Sequence, residues 1–280
     1  MRIDSNIILK RVDKKPILID TFYSEDKSSQ PIVIFCHGYK GFKDWGAWNL
    51  MAEYIAKAGF CFIKFNFSHN GGTINNPIDF PDLEAFGNNN YTKELDDLND
   101  VIDWVQNHFE NDSNVNVDQI SLIGHSRGGG IAILKASEDN RIKKLITLAS
   151  VSDFKRRTAT VGDLKEWKET GVKYVLNGRT KQQMPHYYQF YQDFKTNEER
   201  LHIESAIKRL KIPILLIHGD SDTSVSLNEA KELQQWNMNC ELKIIKNADH
   251  VFNTKHPWNT YNLSTKLDRV SKLIIDFANK

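Results

Sequence analysis

The chain is poor in cysteine, methionine and proline, with three, four and seven among 280 residues. Cys36, Cys61 and Cys240 lie far apart and show no metal-ligand spacing, so neither a disulfide framework nor a cysteine-based metal site is expected. Cys36 and Cys61 fall inside apolar runs and read as small core residues. An excess of charge of one sign is missing too: 37 Lys and Arg nearly balance 36 Asp and Glu. That removes any electrostatic reason to expect nucleic acid or an anionic membrane as partner. No apolar run is long enough to cross a bilayer. The stretch Met1–Lys10 carries early charge and lacks the apolar core of a signal peptide. A cytoplasmic protein is the expectation. Internal repeats and low-complexity tracts are absent, and the 40% hydrophobic content is enough for a sizeable core.

What the chain does have is alternation. Residues 3–10 and 16–23 read as an antiparallel edge pair, and Pro31–Cys36 as a buried strand. A helix over 48–58 ends at Gly59, and a strand follows over 60–67. Residues 68–90, rich in Asn, Gly and Pro, read as a long loop. A helix over 91–109, with Thr92 as candidate N-cap, leads to a strand at 119–123, a helix at 126–138 and a strand at 142–149. After an interruption come a strand at 212–217, a helix at 226–236, a strand at 241–245 and a helix near 262–278. Such alternation predicts one α/β domain over 1–280, with a mostly parallel sheet of about eight strands covered by helices on both faces. The interruption, residues 151–205, reads as a cap inserted over the catalytic edge, because long non-core insertions tend to be functional. Within it, Val172–Leu176, the pair Asn177-Gly178 and Arg179–Lys181 predict a hairpin with a tight turn.

The strongest chemical signal is Gly124-His125-Ser126-Arg127-Gly128. It follows the apolar run Ile120–Ile123 and precedes a helix-like run, so the serine sits at the apex of a strand–turn–helix. Glycines two residues either side relieve the crowding of so sharp a turn. An acid-rich turn, His218-Gly219-Asp220-Ser221-Asp222, follows the strand at 212–217. Asp249-His250 follows the strand at 241–245. All three segments therefore leave the C-terminal ends of strands, where α/β sheets build their sites. Serine alone is a poor nucleophile and needs a base oriented by an acid. Ser126 is the candidate nucleophile and His250 the candidate base, with His256, next to Pro257, as the lesser alternative. Asp222 is the candidate acid, with Asp153, Asp220 and Asp249 as alternatives. His125 and His218 read as structural. The loop His37-Gly38-Tyr39-Lys40-Gly41 follows the first buried strand. The backbone N–H of Tyr39 and that of Arg127 are the candidate oxyanion donors.

These motifs resemble the α/β-hydrolase superfamily over nearly the whole chain. Phe65-Asn66-Phe67-Ser68 adds a looser similarity to bacterial serine esterases of the cinnamoyl/feruloyl type and to dienelactone-hydrolase-like relatives. One departure matters: dienelactone hydrolases use a cysteine nucleophile, and here serine stands in its place. The resemblance favours Asp222 as the acid and implies acyl transfer without metal or organic cofactor. The implied substrate is a small soluble carboxylic ester. His37, Gly38, Tyr187 and Tyr188 are candidate substrate contacts. Tyr174 and Tyr191 could join them or simply pack the cap. Lys155-Arg156-Arg157 is either a carboxylate site or a solvated charge run. A peptidase of the aminopeptidase or acyl-peptidase kind is the main alternative. It would need a group to grip a free amine, for which Asp82, Glu84 and Glu166 are candidates. Thioester hydrolysis and non-catalytic binding on the same scaffold complete the range. The C-terminal helix and the cap are candidate faces for a homodimer.

Overall fold

The computed structural model describes residues 1–159 and 163–280. In chain order its elements are β1 (Arg2–Arg11), β2 (Lys14–Tyr23), β3 (Gln30–Cys36), α1 (Trp48–Lys57), β4 (Cys61–Phe65), α2 (Leu83–Gly87), α3 (Tyr91–Phe109), β5 (Val115–His125), α4 (Arg127–Glu138) and β6 (Ile142–Leu148). They continue with α5 (Phe154–Ala159), α6 (Leu164–Thr170), β7 (Val172–Leu176), β8 (Gln183–Tyr187), α7 (Gln189–Thr196), α8 (Ile203–Arg209), β9 (Ile214–Gly219), α9 (Leu227–Trp236), β10 (Cys240–Ile245) and α10 (Thr265–Ala278).

Eight strands form one sheet in the order β1-β2-β4-β3-β5-β6-β9-β10. From β4 to β10 neighbours run parallel, while β2 pairs antiparallel with both β1 and β4. This is the α/β-hydrolase fold anticipated from the alternation. Side chains of β3 alternate between two cores, as the period of a strand requires. Ile32, Ile34 and Cys36 join one core with residues of α3, α4 and α8. Val33 and Phe35 join the other with α1 and α10. Burial on both faces explains why these strands are continuous apolar runs.

Local details differ from the expectations. β5 begins at Val115 rather than 119, because its pairing with β3 slips between Pro31 and Ile32, which hides the early part behind polar residues. Asn90, not Thr92, caps α3, its side chain accepting from Lys93 N at 2.9 Å. Thr92 instead donates its hydroxyl to Asp193 at 2.9 Å. The stretch 68–90 contains α2, capped by Asp82. The hairpin of β7 and β8 pairs Val172 with Tyr187 and Leu176 with Gln183. Asn177-Gly178 therefore opens a longer connection over 177–182 rather than a two-residue turn, and residues 179–181 are not strand. Asn177 Oδ1 accepts from Arg179 N at 3.1 Å, a local bond that starts this wider loop. Among the described residues, no helix is long and apolar enough to cross a membrane.

Candidate active site

The end of β5 forces a steric problem that only glycine solves. A Cβ on Gly124 would stand 2.3 Å from the Gly128 carbonyl oxygen, and one on Gly128 2.5 Å from the carbonyl oxygens of Cys36 and His37. With both glycines in place, the chain reverses between strand and helix. Ser126 takes φ 56° and ψ −119°, a conformation rarely adopted by residues with a Cβ. Its N–H is tied to Leu148 O at 2.9 Å, which anchors the elbow to β6. The strain is of order 1–3 kcal/mol, and it persists because the packed turn over-determines it.

Two further turns face this elbow. After β9, Asp222 Oδ1 accepts from Ser224 N at 2.8 Å and Val225 N at 2.9 Å. That leaves Oδ2 to receive His250 Nδ1 at 2.7 Å. Despite burial, which alone would raise its pKa, hydrogen bonds from His218 and His250 hold the Asp222 carboxyl well below the usual carboxylate range. His218 is fully buried. Its Nε2 donates to Val225 O at 2.9 Å and lies 3.3 Å from Asp222 Oδ2, so it braces the acid turn. His125 Nε2 donates to His250 O at 2.9 Å and pins the histidine loop from the nucleophile side. Both histidines have the structural place expected of them.

The alternative acids and base are occupied elsewhere. Asp153 accepts from Lys155 N at 2.6 Å at the start of α5 and pairs with Arg156. Asp220 accepts from Asn247 N at 2.6 Å. Asp249 accepts from Val251 N and Asn253 N at 3.0 and 2.7 Å. His256 Nδ1 accepts from Gly46 N at 2.9 Å, with its ring against Phe42 and Trp45.

Ser126 and His250 line one pocket of about 350 Å³, together with Tyr39 and Arg127. Tyr39 lies in the turn closed by Gly41 N to Gly38 O at 3.0 Å. Arg127 is the first residue of α4, where helical N–H groups have no intrahelical acceptor. Gly38 fits against the elbow, since a Cβ there would meet Ser126 Cβ at 2.9 Å. Tyr91, Phe154, Trp167 and Phe190 form aromatic walls. Arg157, Lys173 and His186 add polar lining.

None of the four residues expected at the substrate lines this pocket; Gly38 packs its backbone against the elbow instead. His37 is buried with both ring nitrogens used: Nδ1 donates to Gly38 O at 2.9 Å and Nε2 accepts from Phe67 N at 3.2 Å. It supports the loop after β3. Tyr187 donates its hydroxyl to Glu84 and lays its ring against Gly87. Tyr188 packs on Trp167 and Tyr191. The β8 residue that reaches the pocket is His186, because consecutive strand side chains point to opposite faces. Its Nε2 accepts from the Tyr39 hydroxyl at 2.9 Å, and its carbonyl receives Trp167 Nε1 at 2.7 Å. Tyr174 is exposed, as are Glu84 and Glu166. Asp82 caps α2 and pairs with Lys15.

Several buried histidines stay neutral. Desolvation lowers His37 to about 4, and His125 and His186 to about 3. An unfolded chain takes up these protons near pH 6.5, where the folded protein refuses them. In that window the unfolded state binds more protons, so stability falls as pH drops from about 6.5 toward 4. The slope is up to about 1.4 kcal/mol per pH unit for each such histidine. Urea midpoints at pH 7 and pH 5 should therefore differ markedly, and a flat profile would contradict neutral burial.

An elbow serine after β5, an acid after β9 and a histidine after β10, on a mostly parallel eight-stranded sheet, are the marks of an α/β hydrolase. Comparison with known proteins narrows this class. The chain belongs to the BD-FAE family, whose model matches residues 19–237. Among solved structures, Est1E from Butyrivibrio proteoclasticus with bound ferulic acid is similar at TM-score 0.74 and 19% identity, covering 97% of both chains. The esterase domain of a Rhodothermus marinus protein is similar at TM-score 0.67 and 18% identity, covering 99% of this chain and 98% of that one. A curated sequence, the uncharacterized peptidase YtmA of Bacillus subtilis (strain 168), is 28% identical over 123 residues. That match covers 44% of this chain and 42% of YtmA.

Proposed function

We propose that the protein is a serine hydrolase of small carboxylic esters, working through an acyl-enzyme, with residues 151–205 capping the site. The observation that carries this reading is the 2.7 Å contact from His250 Nδ1 to Asp222, made by a histidine that shares a pocket with the strained Ser126. With Nδ1 protonated toward Asp222, Nε2 is the free basic nitrogen. As Ser126 Oγ bonds to the ester carbonyl carbon, its proton passes to His250 Nε2. The carbonyl oxygen becomes an oxyanion facing the N–H groups of Tyr39 and Arg127. On collapse, the bond to the leaving oxygen breaks and that oxygen takes the proton from His250. Water then repeats the sequence on the acyl-enzyme, giving up a proton to His250 and releasing the acid and Ser126.

The likeness to YtmA favours a second reading, a peptidase. An aminopeptidase needs a carboxylate to grip the substrate's free amine. Among the described residues lining the pocket none is Asp or Glu, whereas Arg127, Arg157 and Lys173 are cationic. A free ammonium would find no carboxylate to grip it in this lining, which supports the ester reading.

The test is turnover of p-nitrophenyl acetate to octanoate and methyl ferulate, beside an acyl thioester and aminoacyl p-nitroanilides. The oxygen esters should be hydrolysed at least about 100-fold more efficiently than the anilides. Preferential cleavage of the anilides would move the assignment to a peptidase.

A further inference from the structure

Arg127 does more than occupy the position after the elbow serine. Its guanidinium carbon stands 4.3 Å from the ring centre of Tyr39, 5.3 Å from that of Tyr91 and 5.6 Å from that of Phe190. Three aromatic faces therefore hold the cation in the wall of the pocket. A guanidinium has five N–H donors. Among the described residues its one hydrogen-bond partner is Glu94, with Nη1 to Oε1 at 3.3 Å, near the long limit for such a bond. The same Glu94 oxygen receives Asn89 Nδ2 at the shorter distance of 2.7 Å. Burial lifts the Glu94 carboxyl above its ordinary range, which weakens it further as a counter-charge. Arg127 thus faces the pocket with donors that the protein leaves to a ligand.

The topology gives the elbow two sides. His250 follows β10 on one side of the elbow, and the leaving group must meet it to be protonated. Tyr39 follows β3 on the other side of the elbow. An acyl group that runs away from His250, on the Tyr39 side of the elbow, passes the wall that holds Arg127. Arg157 and Lys173 add cationic lining to the same pocket.

We propose that the pocket selects esters whose acyl group carries a carboxylate, and that the Arg127 side chain is the specificity-determining residue that receives it. This rests on the ester-hydrolase reading. The planar fork of arginine matches a carboxylate in two parallel hydrogen bonds, and the aromatic walls suit a flat apolar body between the carboxylate and the scissile carbonyl.

The experiment compares monomethyl terephthalate with its neutral isostere, methyl 4-carbamoylbenzoate, neither of which can hydrolyse through its own para substituent. Wild type should favour the anion at least about tenfold in kcat/KM at low ionic strength, mainly through KM. Arg127→Gln should bring the ratio close to one, whereas Arg127→Lys should restore part of it. Equal turnover by wild type, or a preference that survives in Arg127→Gln, would overturn the assignment. Thermal-shift binding of benzoate against benzamide separates this failure from failure of the ester reading. A benzoate-specific shift that Arg127→Gln removes, in a protein that hydrolyses no ester, would keep the anion site and sink the ester reading alone. No benzoate-specific shift would sink the anion site even if neutral esters turn over.

Discussion

Ser126→Ala is expected to lower kcat for p-nitrophenyl esters by about 10⁵–10⁶-fold, the loss typical of removing the nucleophile from a working triad. The variant should still fold, because alanine keeps the Cβ and changes no bond of the elbow. The N–H of residue 126 still reaches Leu148 O, and the glycines that make the turn are untouched. Labelling by an organophosphonate should disappear with activity. Stability gives a second, independent check. The serine holds φ 56° and ψ −119°, and alanine inherits that strain while glycine does not. Ser126→Gly should thus be inactive as well, yet more stable than Ser126→Ala by about 1 kcal/mol. Full activity of the alanine variant, with no contaminating hydrolase, would end the serine-hydrolase assignment.

The parts of the fold that sequence alone revealed are those fixed by local or periodic rules. β3 is buried on both faces and so reads as an unbroken apolar run, and Gly124 is demanded by the Gly128 carbonyl four residues on. Asp222 and His250 were legible because each closely follows a strand end. The pocket wall was not legible to the same degree. Tyr91 opens a helix, Phe154 and Trp167 lie in the short helices α5 and α6, and only packing brings them together; Tyr91 stacks on Phe154 with ring centres 3.9 Å apart. Around β8 the aromatic run marks a segment that reaches the pocket, but through His186 rather than a tyrosine. His186 turns into the pocket and Tyr187 turns away, and pairing with β7 sets that choice. His37 drew attention as the start of the loop after β3. Its role is to hold that loop through Gly38 O and Phe67 N, a pair of partners invisible in a linear motif. The adjacent stretch Lys155-Arg156-Arg157 divides likewise. Arg156 bonds Glu232 at the surface, while Arg157 lines the pocket and pairs with Glu229. One helical turn spreads neighbouring residues over different faces, so a run of three cations has no single fate.

Asp222→Asn should reduce kcat by about 10⁴-fold while leaving the protein folded. The isosteric amide can keep the turn, since its oxygen can still accept from Ser224 N and Val225 N as Asp222 Oδ1 does. What changes is the atom presented to His250. An amide NH2 in place of Oδ2 donates toward Nδ1, which moves the imidazole proton to Nε2, the nitrogen that must take the proton from Ser126. The negative charge that would stabilise the imidazolium is lost in the same step. Asp153→Asn provides the contrast. Asp153 accepts from Lys155 N at the start of α5, a bond that asparagine also makes, and its carboxylate otherwise pairs with the exposed Arg156. Its kcat should stay within about threefold of wild type, since Asp153 bonds Lys155 N and Arg156 and does not line the pocket. The two variants therefore separate the rival acids by about three orders of magnitude in one assay. A deep loss in Asp153→Asn beside a mild one in Asp222→Asn would transfer the acid to the end of β6. The 2.7 Å contact between Asp222 and His250 would then be a bond that holds the loop rather than one that sets the tautomer.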